Sequence, residues 1–253
     1  MIKFISFIKQ ISNDFALNSY FYVKKSWRDL MEFEEKRKKL VENLKNRKIL
    51  TKPEVINAML KVPRHKFIPE DAISSAYIDS PLNIGLGQTI SAPHMNAMMC
   101  EYLKLKEGEI VLEVGTGSGY HAALCAELVA PENSQNPGHV YTIERHRKLA
   151  ERAKKSLKDA GYENKVTVIH GDGTLGYSEK APFDKILVTA SSPKKIPPPL
   201  KNQLKDGGIM CIPAGSREWG QNLYIIVKKG NNFETETITG VRFVPLVGKY
   251  GFE

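Results

Sequence analysis

Apolar and polar positions change rhythm twice along the chain. Residues 1–30 carry aromatics but no clean period. From Met31, the run that follows places Phe33, Leu40, Val41 and Leu44 on one helical face, with Glu and Lys four apart on the other. Thr51-Lys52-Pro53-Glu54 reads as a capping box with Pro in the first turn. The second helix it opens turns Val55, Ile56, Met59 and Leu60 inward and stops at Pro63. Residues 63–93 hold many Pro, Gly and Ser, and such a stretch inside a compact domain is more often functional than idle. A third helix is expected from about Pro93 to Lys104, with Ser91 as a candidate N-cap.

Beyond residue 104 short apolar runs alternate with helical patterns. The runs are Ile110–Val114, Val140–Ile143, Val166–Ile169, Ile186–Thr189, Ile209–Ile212, Leu223–Val227 and Phe233–Val247. Fully apolar strands alternating with helices predict an α/β fold, a doubly wound and mostly parallel sheet with an N-terminal helical segment and antiparallel C-terminal strands. The organisation expected is an extension over 1–30 and a single domain over 31–253. Within it, 31–104 forms a helical, loop-rich cover and 105–253 the core.

Composition refines this picture. With 253 residues and 42% hydrophobic content, the chain has ample core for one good-sized domain. No apolar run approaches the ~20 residues that span a bilayer, and Lys9 interrupts the greasy start, so neither a membrane span nor a secretory signal is expected. Cys100, Cys125 and Cys211 are odd in number and widely spaced. They suit neither a disulfide framework nor a zinc site, and read as reduced core thiols of a cytoplasmic protein. The net charge of +9 invites a nucleic-acid reading, but residues 1–50 hold 12 Lys and Arg against 6 Asp and Glu, so +6 of it sits there. A solvated helical face explains that excess, and no nucleic-acid partner is expected.

The chemistry concentrates in Val111-Leu112-Glu113-Val114-Gly115-Thr116-Gly117-Ser118-Gly119-Tyr120, an apolar strand running into a glycine-rich turn and then a helix. Ligands bind at this carboxyl edge in doubly wound sheets, and glycine lets the backbone approach them. The dinucleotide fingerprint is G-x-G-x-x-G, whereas the spacing here is G-x-G-x-G with Tyr120 in place of the third Gly. Glu113, two residues before Gly115, would repel a pyrophosphate but suits the ammonium of S-adenosylmethionine, directly or through water. Glu144 ends the second strand, where a carboxylate takes ribose hydroxyls. Asp172 ends the third, where it accepts from an adenine amine, with Gly173 leaving room for the ring. Gly117 and Arg145 complete the cofactor set read from these strand ends.

With Glu113–Gly119 in hand, the chain closely resembles the protein-L-isoaspartate O-methyltransferase family. The resemblance is carried by Val62–Pro69, Ala76–Gly85, Gly87-Gln88-Thr89-Ile90-Ser91-Ala92-Pro93-His94-Met95, Phe183–Ala190, Gln203–Gly208 and Val241–Leu246. It implies a Rossmann-like class I methyltransferase that uses S-adenosylmethionine to methylate the free carboxyl of isoaspartyl residues in proteins and peptides. A cytoplasmic monomer is expected, and the sequence shows no metal-ligand cluster. Ser91 falls on the residue assigned as active in the family, and Gln88, Thr89, Ile90 and Ser91 line cofactor and substrate. The family often has His where this chain has Asn96, which leaves any contact from that position open.

A methyl transfer to a carboxylate needs positioning and no strong base or nucleophile, so the lack of a Ser–His–Asp pattern is no obstacle. Ser91 therefore has two readings, an orienting hydroxyl and a helix cap. Asp79 reads as a turn residue before Pro81, and Arg242 as a solvated strand charge. Amino-methylating nucleic-acid enzymes need an Asn/Asp-Pro-Pro-aromatic element after the fourth strand, where this chain has Thr189-Ala190-Ser191-Ser192-Pro193. Cytosine-C5 enzymes need a Pro-Cys nucleophile, and no such dipeptide occurs. A non-catalytic cofactor-binding adaptor is the other alternative.

Overall fold

The computed structural model describes residues 31–216 and 220–253. The expectations for residues 1–30 lie outside the described residues. Helix α1 covers residues 31–46 and docks as its pattern predicts. Leu40, Val41 and Leu44 are buried, while Glu32–Lys36, Glu34–Lys38 and Glu35–Lys39 pair on the solvent face. Exposed pairs add only tenths of a kcal/mol, so the apolar face holds this helix. Phe33 stacks on His65 with ring centroids 4.4 Å apart.

Helix α2, Pro53–Lys61, buries Val55, Ala58 and Met59, with Ile56 and Leu60 half-buried. Its capping box does not form: Lys52 holds the N-cap position and no side chain caps it locally. Glu101 of α3 (Pro93–Leu103) replaces the box, accepting from Thr51 N at 2.9 Å, Thr51 Oγ1 at 2.7 Å and Lys52 N at 2.8 Å. A carboxylate from a packed neighbour satisfies these donors and joins two helices, which a local Glu54 could not do.

The stretch 63–93 holds two short 3₁₀ turns and an antiparallel hairpin of β1 (Leu82–Gly85) and β2 (Gln88–Ile90). Arg64, fully buried, gathers it. Its guanidinium donates to Ala76 O at 2.9 Å, Ser91 O at 2.8 Å and Asn96 Oδ1 at 3.2 Å, and lies 4.9 Å over the Tyr120 ring. Burial pushes its pKa down to about 10, which leaves it charged at neutral pH. Asn96 thus serves the cover as an acceptor for Arg64. Ser91 does not cap α3. The N-cap position belongs to Ala92, and the first-turn amide of His94 instead donates to Asp79 Oδ1 at 2.8 Å. Asp79 also takes His94 Nδ1 at 2.8 Å and Arg47 Nη1 at 2.6 Å, so it is the helix's remote cap as well as a turn residue.

The core sheet runs β5 (Val166–His170), β4 (His139–Glu144), β3 (Ile110–Val114), β6 (Phe183–Val188), β8 (Leu204–Gly215), β9 (Gln221–Lys229) and β10 (Asn232–Val241). Pairing is parallel from β5 to β8 and antiparallel beyond, with β7 (Ser192–Pro193) against β8. This is the predicted doubly wound sheet, and the chain reverses its direction of winding between β3 and β6. Helices α3, α4 (Tyr120–Val129) and α5 (Arg147–Asp159) pack on one face. The other face is covered more thinly, by α6 (Pro198–Gln203) and irregular segments. Every residue of α4 is buried, as suits a helix whose only strongly polar residues are His121 and Glu127. The strand expected over Phe233–Val247 ends at Val241. Pro245 cannot donate to a ladder, and the chain leaves the sheet so that Val244 O and Leu246 N bond the backbone of Ser191.

Two substitutions test how the cover is tied down. Arg64→Leu leaves two buried acceptors and one part-buried one without a donor, so urea unfolding should show a loss of about 3 kcal/mol or more. Glu101→Ala removes three hydrogen bonds at the start of α2 and should cost about 1–2 kcal/mol by the same measurement.

Candidate active site

The carboxyl ends of β3, β4 and β6 meet in a cleft that is partly open to solvent, at the edge where doubly wound sheets bind their ligands. Glycine is demanded at two points of its wall. At Gly115, with φ +99°, a Cβ would collide with Thr189 Oγ1; at Gly173 it would collide with the side chain of Val114. Thr189 anchors the turn, donating to Gly115 O at 2.6 Å.

Glu144 is the charged group that this edge aims. Buried at the end of β4, its Oε2 accepts from Gly117 N at 2.9 Å and its Oε1 from His146 N at 2.9 Å. Two backbone amides hold the carboxylate without neutralising it, and its remaining acceptor sites are available to hydroxyl donors. Among the sequence-predicted residues, Gln88, Thr89, Gly115, Gly117, Glu144, Arg145 and Gly173 line the cleft.

Four others stand elsewhere. Ile90 and Ser91 line an adjoining cavity of about 310 Å³, beside Asn96 and His121. Asp172 is absent from the cleft lining although Gly173 is present. Its Oδ1 accepts from Thr174 N and Oγ1 at 2.8 and 2.7 Å, and its Oδ2 from Lys249 N at 2.8 Å. Partial burial pushes its pKa up, but these hydrogen bonds and nearby Arg145 outweigh that and hold it below the usual carboxylate range. Glu113 is fully buried behind the glycine turn. Strand alternation explains this: Val114 lines the cleft, so its neighbour must face the opposite side of the sheet. There Thr142 Oγ1 donates to Glu113 Oε2 at 2.5 Å and lies 2.7 Å from Thr116 Oγ1. Desolvation raises the Glu113 pKa to about 7.

The cleft also uses residues that were not singled out. Thr189 directly follows β6, the fourth parallel strand, where the strand-edge rule used for Glu113, Glu144 and Asp172 could have found it. Val244, Pro245, Leu246 and Val247 wall the cleft from the far end of the chain, and no local signal marks them. A second, larger groove of about 1190 Å³ runs outward past Ser91, His94, Gln221, Arg242 and Phe243. Thr89 and Thr189 line both cleft and groove. Ser91 borders the groove and the smaller cavity together, as Thr89 and Thr189 also do. Its carbonyl is fixed by Arg64.

Comparison with known proteins agrees with this geometry. Residues 35–251 match the family model described as protein-L-isoaspartate(D-aspartate) O-methyltransferase. The protein-L-isoaspartate O-methyltransferase of Hyperthermus butylicus is 54% identical over 228 residues, covering 89% of this chain and 94% of that protein. Protein-L-isoaspartate O-methyltransferase 1 of Archaeoglobus fulgidus is 55% identical over 222 residues, covering 88% and 98%. A solved Plasmodium falciparum structure of such a methyltransferase, in complex with S-adenosyl-L-homocysteine, superposes with a TM-score of 0.74 at 33% identity. It covers 83% of this chain and 98% of the other. The chain therefore belongs to the protein-L-isoaspartate(D-aspartate) O-methyltransferase family.

Proposed function

We propose that this chain transfers a methyl group from S-adenosylmethionine to the free carboxyl of L-isoaspartyl residues in damaged proteins and peptides, the activity for which its relatives are named. The observation that carries the reading is the meeting of a small-molecule cleft and a peptide-sized groove at Thr89 and Thr189, with Ser91 beside them. A methyl donor and an extended acceptor approaching from opposite sides would react at that junction. The residues fit the donor: an oriented acceptor in Glu144, a turn that Cβ atoms would fill at Gly115 and Gly173, and apolar walls from Val114, Ile143 and Leu246.

When bound, the cofactor supplies an electrophilic methyl whose bond to sulfur breaks as the substrate carboxylate oxygen bonds to carbon, leaving a neutral thioether. Glu144 holds the ribose hydroxyls in this reading. Asp172 takes the adenine amine with the acceptor capacity that Thr174 and Lys249 leave unused, three of about four sites being filled. The acceptor is already ionised at neutral pH, so no base is required, and orientation and exclusion of water supply the acceleration. Ser91 serves as the orienting hydroxyl, fixed through its backbone by Arg64. The site as proposed needs no metal for the transfer. No described helix is long and apolar enough to cross a membrane. A monomer acting in the cytoplasm completes the proposal.

Methyl transfer to an isoaspartyl peptide is the direct test, and no turnover on it would overturn the assignment. Asp172→Ala should weaken S-adenosylmethionine binding by about 10-fold or more, since a hydrogen bond to a charged group contributes about 1.5–3 kcal/mol. It should also loosen residues 248–250, which Asp172 and Thr174 tether. Unchanged affinity by calorimetry would remove Asp172 from the site. Ser91→Asp separates orienter from bystander. The variant should fold and bind S-adenosylmethionine yet be nearly inactive, because a second carboxylate would repel the substrate's. Near wild-type turnover would sink the role given to Ser91.

A further inference from the structure

Three side chains that the methyl transfer does not use converge behind the glycine turn. Cys100 lies on α3, while His121 and Cys125 lie one turn apart on α4. One ligand atom of each falls within 4.8 Å of the other two, and all three residues are buried. Cys100 Sγ stands 3.5 Å from His121 Nε2. Two polar atoms nearby have no hydrogen-bond partner among the described residues: Nδ1 of His121 and Oε1 of Glu113. The two residues are close enough to perturb each other electrostatically.

A hydrogen-bonded chain of Cys125, Cys100 and His121 accounts for the contacts among the three side chains but leaves the two polar atoms unpaired. A tetrahedral zinc ion with Zn–S of about 2.3 Å and Zn–N of about 2.0–2.1 Å has an S···N edge of roughly 3.5–3.6 Å. The observed separation already has that length. Metal on Nε2 also places the proton of His121 on Nδ1, and zinc-bound histidines typically donate that hydrogen to a carboxylate. Glu113 is such a carboxylate, with an oxygen to spare.

We propose that Cys100, His121 and Cys125 form a binding site for a thiophilic divalent cation of the zinc class, with Glu113 as the hydrogen-bond partner of the histidine. Binding releases two thiol protons to solvent, so the two thiolates cancel the charge of the divalent ion, and the Glu113 carboxylate is compensated by the N–H it accepts from the metal-bound histidine. His121 lines the small cavity that shares Gly115, Gly117 and Thr189 with the cofactor cleft, and an ion would enter from that side. Water reaching through it would fill the fourth position. A bound ion would cross-link α3 to α4 directly behind the turn that shapes the cleft. The site is independent of the methyl-transfer chemistry.

The test uses the full chain, reduced and stripped of metal, titrated with cobalt(II). One equivalent should produce a thiolate-to-cobalt charge-transfer band together with the intense visible bands of tetrahedral cobalt, and zinc should displace both. Cys125→Ala should lose the charge-transfer band's two-thiolate intensity and the rise in melting temperature on adding zinc. X-ray absorption of the zinc-loaded wild type, which needs no variant, should show two sulfur neighbours at about 2.3 Å. An all-nitrogen-and-oxygen shell, no charge-transfer band, or an unchanged band in a folded Cys125→Ala protein would each overturn the site.

Discussion

A buried guanidinium with no carboxylate partner among the described residues organises this molecule. Arg64 sits at the junction of the N-terminal cover and the sheet, and its donors are spent on two backbone carbonyls and one side-chain amide. Taking that charge out of water is costly, and only a full set of acceptors with a π face beside it makes the arrangement tenable. The acceptors are what matters for function. Ala76 precedes the hairpin, Asn96 belongs to α3, and Ser91 is the link between them. One planar group thus sets the spacing of the segments that border cleft and groove. Its planar fork reaches three directions at once, which a lysine could not reproduce.

The cleft beneath is shaped by two local constraints. Strand alternation sends Val114 and Glu113 to opposite faces, so the carboxylate nearest the glycine turn in sequence is shut away behind it. Glu144 escapes that fate because it is the final residue of β4, where the chain turns and two backbone amides hold its oxygens. Fixed in advance, such a group needs no reordering when a ligand arrives, which is the basis of electrostatic preorganisation. The far wall comes from residues 244–247, held to Ser191 by backbone hydrogen bonds and followed by a segment tied to Asp172. The last residues of the chain thereby close a site begun at its middle.

The cysteines show the same dependence on packing. Their spacing in the chain suggests unconnected core thiols. Packing α3 against α4 turns two of them and a histidine into a compact donor set, while Cys211 lies buried on β8.

What the sequence determined by itself was whatever short-range periodicity and chain order control. Apolar strands alternating with helices specify the parallel sheet, and the strand–glycine turn–helix segment marks its binding edge. The stretch from Gln88 to Ser91 carries the family. Glu144, Gly115, Gly117 and Gly173 were legible because strand ends and glycine turns are local features. Tertiary structure alone decided which donors and acceptors meet. Glu101 displaced a plausible capping box, Asp79 took the cap expected of Ser91, Arg64 claimed Asn96, and Glu113 turned away from the cleft. Each outcome is a competition for a polar group's hydrogen bonds between a neighbour in sequence and one in space. Only the packed fold brings the second competitor within reach.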